Sequence, residues 1–322
     1  MSMNRYKCSE LLLKRALETT PLGSQTFSKS LTQYPRGVSP FFIKKGKGAE
    51  VWDVDGNEYI DFVNSLAAVT LGYCDADVDQ AVQDQMQNGV TFSLPHTLEI
   101  ELSEKLIDII PCAEKVRFAK NGTDATSASI RIARAYTGKE HIAVCGYHGW
   151  QDWYIGSTSR DLGVPKAVKA LTHKFEYNNI ESLERIFQQN ELACLIMEPM
   201  NVEYPQNNFL EKVKELVHNN NALLIFDETI TGFRYSLGGA QELFNVIPDL
   251  ATFGKGMANG YPLSAVVGSD KVMKKVEDIF FSGTFGGETL SLAAANAIID
   301  KYKKVKVIKH FSEIGSYLLE QL

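Results

Sequence analysis

Apolar residues recur along this chain with two different periods. Leu11, Leu12, Leu13, Ala16 and Leu17 stand among charged residues at helical spacing, which predicts an amphipathic helix over residues 1–20. The stretch PRGVSPFFIKKGKGAEVWDVDGNEYIDF then alternates apolar and polar residues, and its Asp55-Gly56 pair marks a tight hairpin turn. A small antiparallel sheet is expected there. From about Thr97 the pattern changes. TLEIELSEKLIDII, GTDATSASIRIARAYTG, NIESLERIFQQN and NFLEKVKELVHNN carry helical spacing. KVRFA, HIAVCG, LACLIME, ALLIFDE, LATFG and LSAVVG are short, apolar and strand-like. Such strands alternating with helices predict an α/β fold whose mostly parallel sheet is covered by helices on both faces. The tail, LSLAAANAIIDKYKKVKVIKHFSEIGSYLLEQL, predicts two helices. No internal repeat or low-complexity segment interrupts the pattern.

Composition narrows the function classes. The 322 residues are 44% hydrophobic and 22% charged, ordinary for a globular chain. A net charge of -6 argues against a nucleic-acid footprint and against a polybasic membrane anchor. No apolar run reaches the length of a membrane span, and MSMNRYKCSELLLKRALE lacks the apolar core of a signal peptide. Cys8, Cys74, Cys112, Cys145 and Cys194 are scattered, with no CxxC pair, so reduced thiols in a cytoplasmic protein are expected.

In a parallel sheet, ligands bind beyond the carboxyl ends of the strands. KVRFA leads into Lys120-Asn121-Gly122-Thr123 at a helix start, HIAVCG into Tyr147-His148-Gly149-Trp150, and LACLIM into Glu198. ALLIF ends on Asp227-Glu228 and LATFG on Lys255. Taken singly, each has a plain explanation. Gly122-Thr123 can bind phosphate through free N–H groups, but taken alone an ordinary cap by Asn121 or Thr123 is the better explanation. Tyr147, Trp150 and Trp153 can stack on a flat ring or fill a core. LLIFDE resembles a magnesium-holding ATPase strand, but no GxxxxGK[ST] loop accompanies it. No histidine pair has metal-ligand spacing, so no metal is expected, and neither a GxSxG elbow nor GxGxxG is present.

Together the set points to pyridoxal 5'-phosphate. A lysine amine forms a Schiff base with an aldehyde. The helix start would take the phosphate, Tyr147 would cover the ring, and Asp227 would pair with the ring nitrogen so that the ring accepts electrons. Lys255, once displaced by a substrate amine, would move protons as general acid–base.

The segment LLIFDETITGFRYSLGGAQELFNVIPDLATFGKGMANGYPLSAVVG resembles the class III (ω-type) aminotransferases, especially their glutamate-1-semialdehyde aminomutase branch. NGTDATSASIRIARAYTG, YHGWQDW, IMEP and SGTFGGETLSLAAA fit as well, as does the spacing of 28 residues from Asp227 to Lys255. The resemblance runs from roughly Pro35 onward. It implies fold type I and a homodimer with active sites at the interface. It implies cofactor contacts from Gly122, Thr123, Tyr147, Glu198 and Thr229, and from Thr284 to the neighbouring subunit's phosphate. His148 is expected to be structural support and Arg234 an ion-pair partner. The domain organisation expected is 1–60 as the N-terminal part of a small α+β domain, 61–285 as the large cofactor-binding domain, and 286–322 as a linker helix and the start of an incomplete C-terminal part.

Three departures from the family bear on function. Asn121-Gly122-Thr123 replaces Ser-Gly-Thr, GMANGYPLSA replaces the aminomutase loop after the lysine, and the chain stops where the family continues. The expected activity is transfer of an amino group between an amine donor and an aldehyde or ketone, with a lean towards sugar or polysaccharide metabolism. The alternatives are intramolecular amino transfer by an aminomutase, and a shortened protein that binds the cofactor without turnover.

Overall fold

A computed structural model describes residues 5–322. The chain divides into two compact units, residues 1–76 and 77–322. Residues 1–4 of the expected N-terminal helix lie outside the described residues, and the helix runs Lys7–Thr19.

In the first unit, strands β1 (Ile43–Lys47), β2 (Glu50–Asp53) and β3 (Glu58–Ile60) form an antiparallel sheet in that order. Asp53 organises the hairpin. Its side chain is buried and accepts the backbone N–H groups of Asp55 at 2.9 Å and Asn57 at 2.8 Å, and the Tyr59 hydroxyl at 2.8 Å. Those bonds close the turn that the Asp55-Gly56 pair predicts.

The second unit holds a seven-stranded sheet. Its strands are β4 (Lys115–Ala119), β5 (His141–Cys145), β6 (Thr172–Lys174), β7 (Leu192–Met197), β8 (Leu223–Asp227), β9 (Leu250–Phe253) and β10 (Ser264–Gly268). Their order across the sheet is β4-β10-β9-β8-β7-β5-β6. Every neighbouring pair from β9 to β6 is parallel, whereas β10 runs antiparallel to both β4 and β9. Only residues 254–263 connect β9 to β10, which is too short for the crossover a parallel neighbour needs. The sheet is therefore mostly parallel, with one reversed strand.

The central strands β7, β8, β9 and β10 are buried along their whole length, as their apolar sequences require. β4 differs: Lys115 and Arg117 are exposed because it is an edge strand. Phe226, Phe253 and Leu195 are among the largest fully buried side chains, and each contributes on the order of 2 kcal/mol by leaving water. β6, only three residues long, carries no periodicity a sequence reading could detect. The helices Gly122–Thr137, Ile180–Gln189 and Phe209–Asn219 turn apolar faces to this core. Among the described residues, no helix is long and apolar enough to cross a membrane.

Candidate active site

The carboxyl ends of β4, β5, β7, β8 and β9 share one rim because these strands run in one direction. β10, being reversed, starts at that rim, where the Ser264 hydroxyl donates to the Asn121 carbonyl at 2.7 Å. Ladder pairing sets the depth of Asp227, whose register partner on β9 is Thr252. Lys255 follows β9 by one glycine and opens a short 3-10 turn.

Asp227 is 3% exposed and fully hydrogen-bonded. Oδ1 accepts the Thr229 hydroxyl at 2.6 Å, the Thr229 N–H at 3.1 Å and the Thr252 hydroxyl at 3.0 Å. Oδ2 lies 2.8 Å from His148 Nδ1. Burial disfavours its ionisation, but the His148 and Thr229 donors outweigh burial and hold the carboxyl below the ordinary aspartate value. The other ring nitrogen of His148, Nε2, donates to the Cys145 carbonyl at 3.1 Å.

Lys255 adopts φ +33, a left-handed conformation that non-glycine residues seldom take and that marks local strain. Burial pulls its amine below the ordinary lysine value; Asp227 and Glu198 oppose that pull and Arg234 adds to it. Glu198 is buried, and its Oε2 accepts the Tyr147 N–H at 3.0 Å and the Asn201 side-chain N–H at 2.9 Å. Burial pushes the Glu198 carboxyl up, the Tyr147 N–H draws it down, and the Asp227 charge pushes it up again, leaving it raised. Tyr147 itself is 60% exposed and meets Tyr154 edge-on.

The helix Gly122–Thr137 begins beside this cluster. A Cβ on Gly122 would sit 3.1 Å from Thr229 Cγ2, and one on Gly149, at φ +104, would sit 2.3 Å from Thr123 Oγ1. Asp124 turns its carboxylate back onto the Asn121 N–H at 2.7 Å. Thr123 Oγ1 is buried and has no hydrogen-bond partner. A buried hydroxyl without a protein partner, at the positive end of a helix, is suited to donate to an anion.

The structure thus brings Gly122, Thr123, Tyr147, Glu198, Asp227, Thr229 and Lys255 to one rim. Thr284 lines a cavity of about 600 Å³ with Lys120, Asp124, Ser127 and Arg131. Sequence reasoning gives His148 only a structural part and passes over Thr252. The signal for Thr252 is present: it is a hydroxyl in the middle of the apolar strand LATF.

A sequence profile of the class-III aminotransferases matches residues 33–322. This chain belongs to the class-III aminotransferase family. These enzymes depend on pyridoxal phosphate. The chain is 40% identical over 307 residues to a 3-aminobutyryl-CoA aminotransferase of Cloacimonas acidaminovorans, covering 92% of this chain and 73% of the relative. It is 39% identical over 318 residues to a glutamate-1-semialdehyde 2,1-aminomutase of Francisella philomiragia subsp. philomiragia, covering 91% and 72%. Among solved structures, an omega-transaminase from Sphaerobacter thermophilus superposes with a TM-score of 0.84 at 31% identity, over 91% of this chain and 72% of that one. A transaminase with PLP bound superposes with a TM-score of 0.86 at 27% identity, over 93% and 74%. The chain therefore spans about three quarters of these relatives.

The cofactor fits the rim. The unpaired Thr123 hydroxyl, the helix start and the close approach of Gly149 make a cradle for a phosphate, and the buried Asp227 carboxylate suits a ring nitrogen.

Proposed function

We propose that this protein is an aminotransferase that moves an amino group between an amine donor and an aldehyde or ketone, with Lys255 as its covalent and proton-carrying residue. The observation that carries this reading is the meeting, on one rim, of a lysine pulled towards its neutral form, a saturated buried carboxylate and an unpaired hydroxyl at a helix start. When bound, pyridoxal phosphate supplies an aldehyde that condenses with an amine and a ring that takes up electrons from the reacting carbon.

The residues then divide the work. The Gly122 and Thr123 N–H groups and the Thr123 hydroxyl would hold the phosphate, and Tyr147 and Thr229 would contact the ring. Asp227 would pair with the ring nitrogen, and His148, Thr229 and Thr252 hold the Asp227 carboxylate in place. Glu198 fixes the Tyr147 backbone through its N–H. Burial pulls Lys255 Nζ towards its neutral, nucleophilic form, and this amine would take a proton from the substrate carbon and return one. Thr284, in the SGTFGG stretch, is assigned to the partner subunit's phosphate in a cytoplasmic homodimer with shared sites.

Single-substrate half-reactions test the reading. An aminotransferase converts one amine to its keto product and retains pyridoxamine phosphate. The Francisella relative supports a second reading, an aminomutase, which starts from the pyridoxamine phosphate form and isomerises one substrate without a second partner. Bound cofactor with neither reaction would leave a binder without turnover. A donor panel of amino sugars, 3-amino thioesters and ω-amines separates substrate classes.

A further inference from the structure

Lys120 stands between β4 and the Gly122–Thr123 helix start, yet the chemistry above gives it no part. Its ammonium lies 2.8 Å from Glu288 Oε2 and 3.2 Å from Ser291 Oγ. The two side chains of the ion pair are only 18% and 14% exposed. Glu288 in turn caps the helix Thr289–Lys304: Oε1 accepts the Leu290 N–H at 2.7 Å, and Oε2 accepts the Ser291 hydroxyl at 2.6 Å. Burial pushes the Glu288 carboxyl up, but the Lys120 and Ser291 donors outweigh it and hold the group below the ordinary glutamate value.

An exposed ion pair contributes little, but a mostly buried one cannot lose a partner without stranding the other charge. The pair therefore ties the strand end that enters the phosphate cradle to the start of a second helix. Asn121, the next residue, is held at its carbonyl by the Ser264 hydroxyl and at its N–H by Asp124. Three separate elements thus fix the backbone immediately before Gly122. Backbone N–H donors recognise an anion only when held within a fraction of an ångström, and their supports are part of the site.

We propose that the Lys120–Glu288 ion pair is a positioning device for the cofactor's phosphate, locking the chain that enters Gly122–Thr123 against the helix Thr289–Lys304. This rests on the reading of the rim as the pyridoxal phosphate site. The pair is neutral overall, so it acts by geometry rather than by its field. None of its hydrogen bonds involves Asp227, His148 or Lys255. Its loss should therefore be felt at the phosphate and not at the ring.

The test titrates apo-protein with pyridoxal phosphate and, separately, with pyridoxal, which lacks the phosphate. K120M should weaken pyridoxal phosphate binding about tenfold or more, as removal of a supporting partner does elsewhere, and leave pyridoxal binding within about twofold. K120R, which keeps the pair, should restore the preference for the phosphorylated ligand. If K120M does not fold, K120Q, uncharged and one bond too short to keep the contacts with Glu288 and Ser291, should show the same selective loss. Equal weakening for both ligands, or none for either, overturns the proposal. Wild-type protein that gains no yellow absorbance band with either ligand overturns the cofactor site itself, and the role of the ion pair with it.

Discussion

His148 Nδ1 lies 2.8 Å from Asp227 Oδ2, while the opposite ring nitrogen faces the Cys145 carbonyl at 3.1 Å. Both ring nitrogens therefore meet oxygen acceptors, which fixes the ring between the Asp227 carboxylate and the Cys145 carbonyl. The pair is buried, at 0% and 3% side-chain exposure. His148→Asn should remove a charge-assisted bond to a buried carboxylate and lower stability by about 2 kcal/mol in urea unfolding. It should also raise the Asp227 carboxyl, since His148 donates the strongest of the bonds that lower it. We expect turnover at saturating substrate to fall about tenfold, with an altered visible spectrum of the bound cofactor. A variant with the wild-type spectrum and turnover would restrict His148 to packing.

The sequence pattern made the sheet and its rim legible because both follow from short-range rules. Apolar strands leading into the candidate site residues Tyr147, Glu198, Asp227 and Lys255 can be seen without coordinates. The reversal of β10 was not visible, since its residues are as apolar as those of its parallel neighbours and only pairing defines direction. Nor was the joining of His148 to Asp227, 79 positions away, or of Lys120 to Glu288, 168 away. Such contacts are set by which strand lies beside which, and no local period records them. Thr252 escaped for the same reason: its partner is the register neighbour on another strand.

Asp227 links stability to pH with a definite sign. Its folded carboxyl ionises more readily than in the unfolded chain, where an aspartate titrates near ~3.9. Its stabilising contribution is therefore complete above that value and is lost as pH falls through the lower folded value. Asp227→Asn should be less stable than wild type at pH 7 by about 2 kcal/mol, the scale of bonds to a charged group. The two proteins should converge in stability as the pH is lowered into the acid range. Denaturant unfolding repeated from pH 7 downward measures this; a difference that grows towards low pH would contradict the assigned hydrogen bonds.

Gly149→Ala tests the phosphate cradle. The new methyl carbon would lie 2.3 Å from Thr123 Oγ1, and the residue would keep a φ of +104 that alanine tolerates poorly. Strain of this type costs about 1–3 kcal/mol. We expect a lower melting temperature and a marked loss of affinity for inorganic phosphate and for pyridoxal phosphate in the apo-protein. Unchanged affinity for both anions would show that Thr123 does not face the anion.

Lys255→Ala separates chemistry from stability. The wild-type amine is mostly buried, and burial lowers its proton affinity, so placing a protonated lysine here is costly. A folded value below the unfolded one means that Lys255 subtracts stability at every pH where the unfolded lysine is charged, and that this penalty is complete below the folded value. Removing the side chain should leave the melting temperature of the apo-protein unchanged or higher at neutral pH, despite the φ of +33 at this position. Activity should behave oppositely. Loss of the nucleophile and proton carrier should lower the half-reaction rate at least about 10²–10⁴-fold. Borohydride treatment, which fixes a lysine–aldehyde adduct, should attach the cofactor covalently to wild type and not to the variant. Covalent attachment in Lys255→Ala would move the chemistry to another amine.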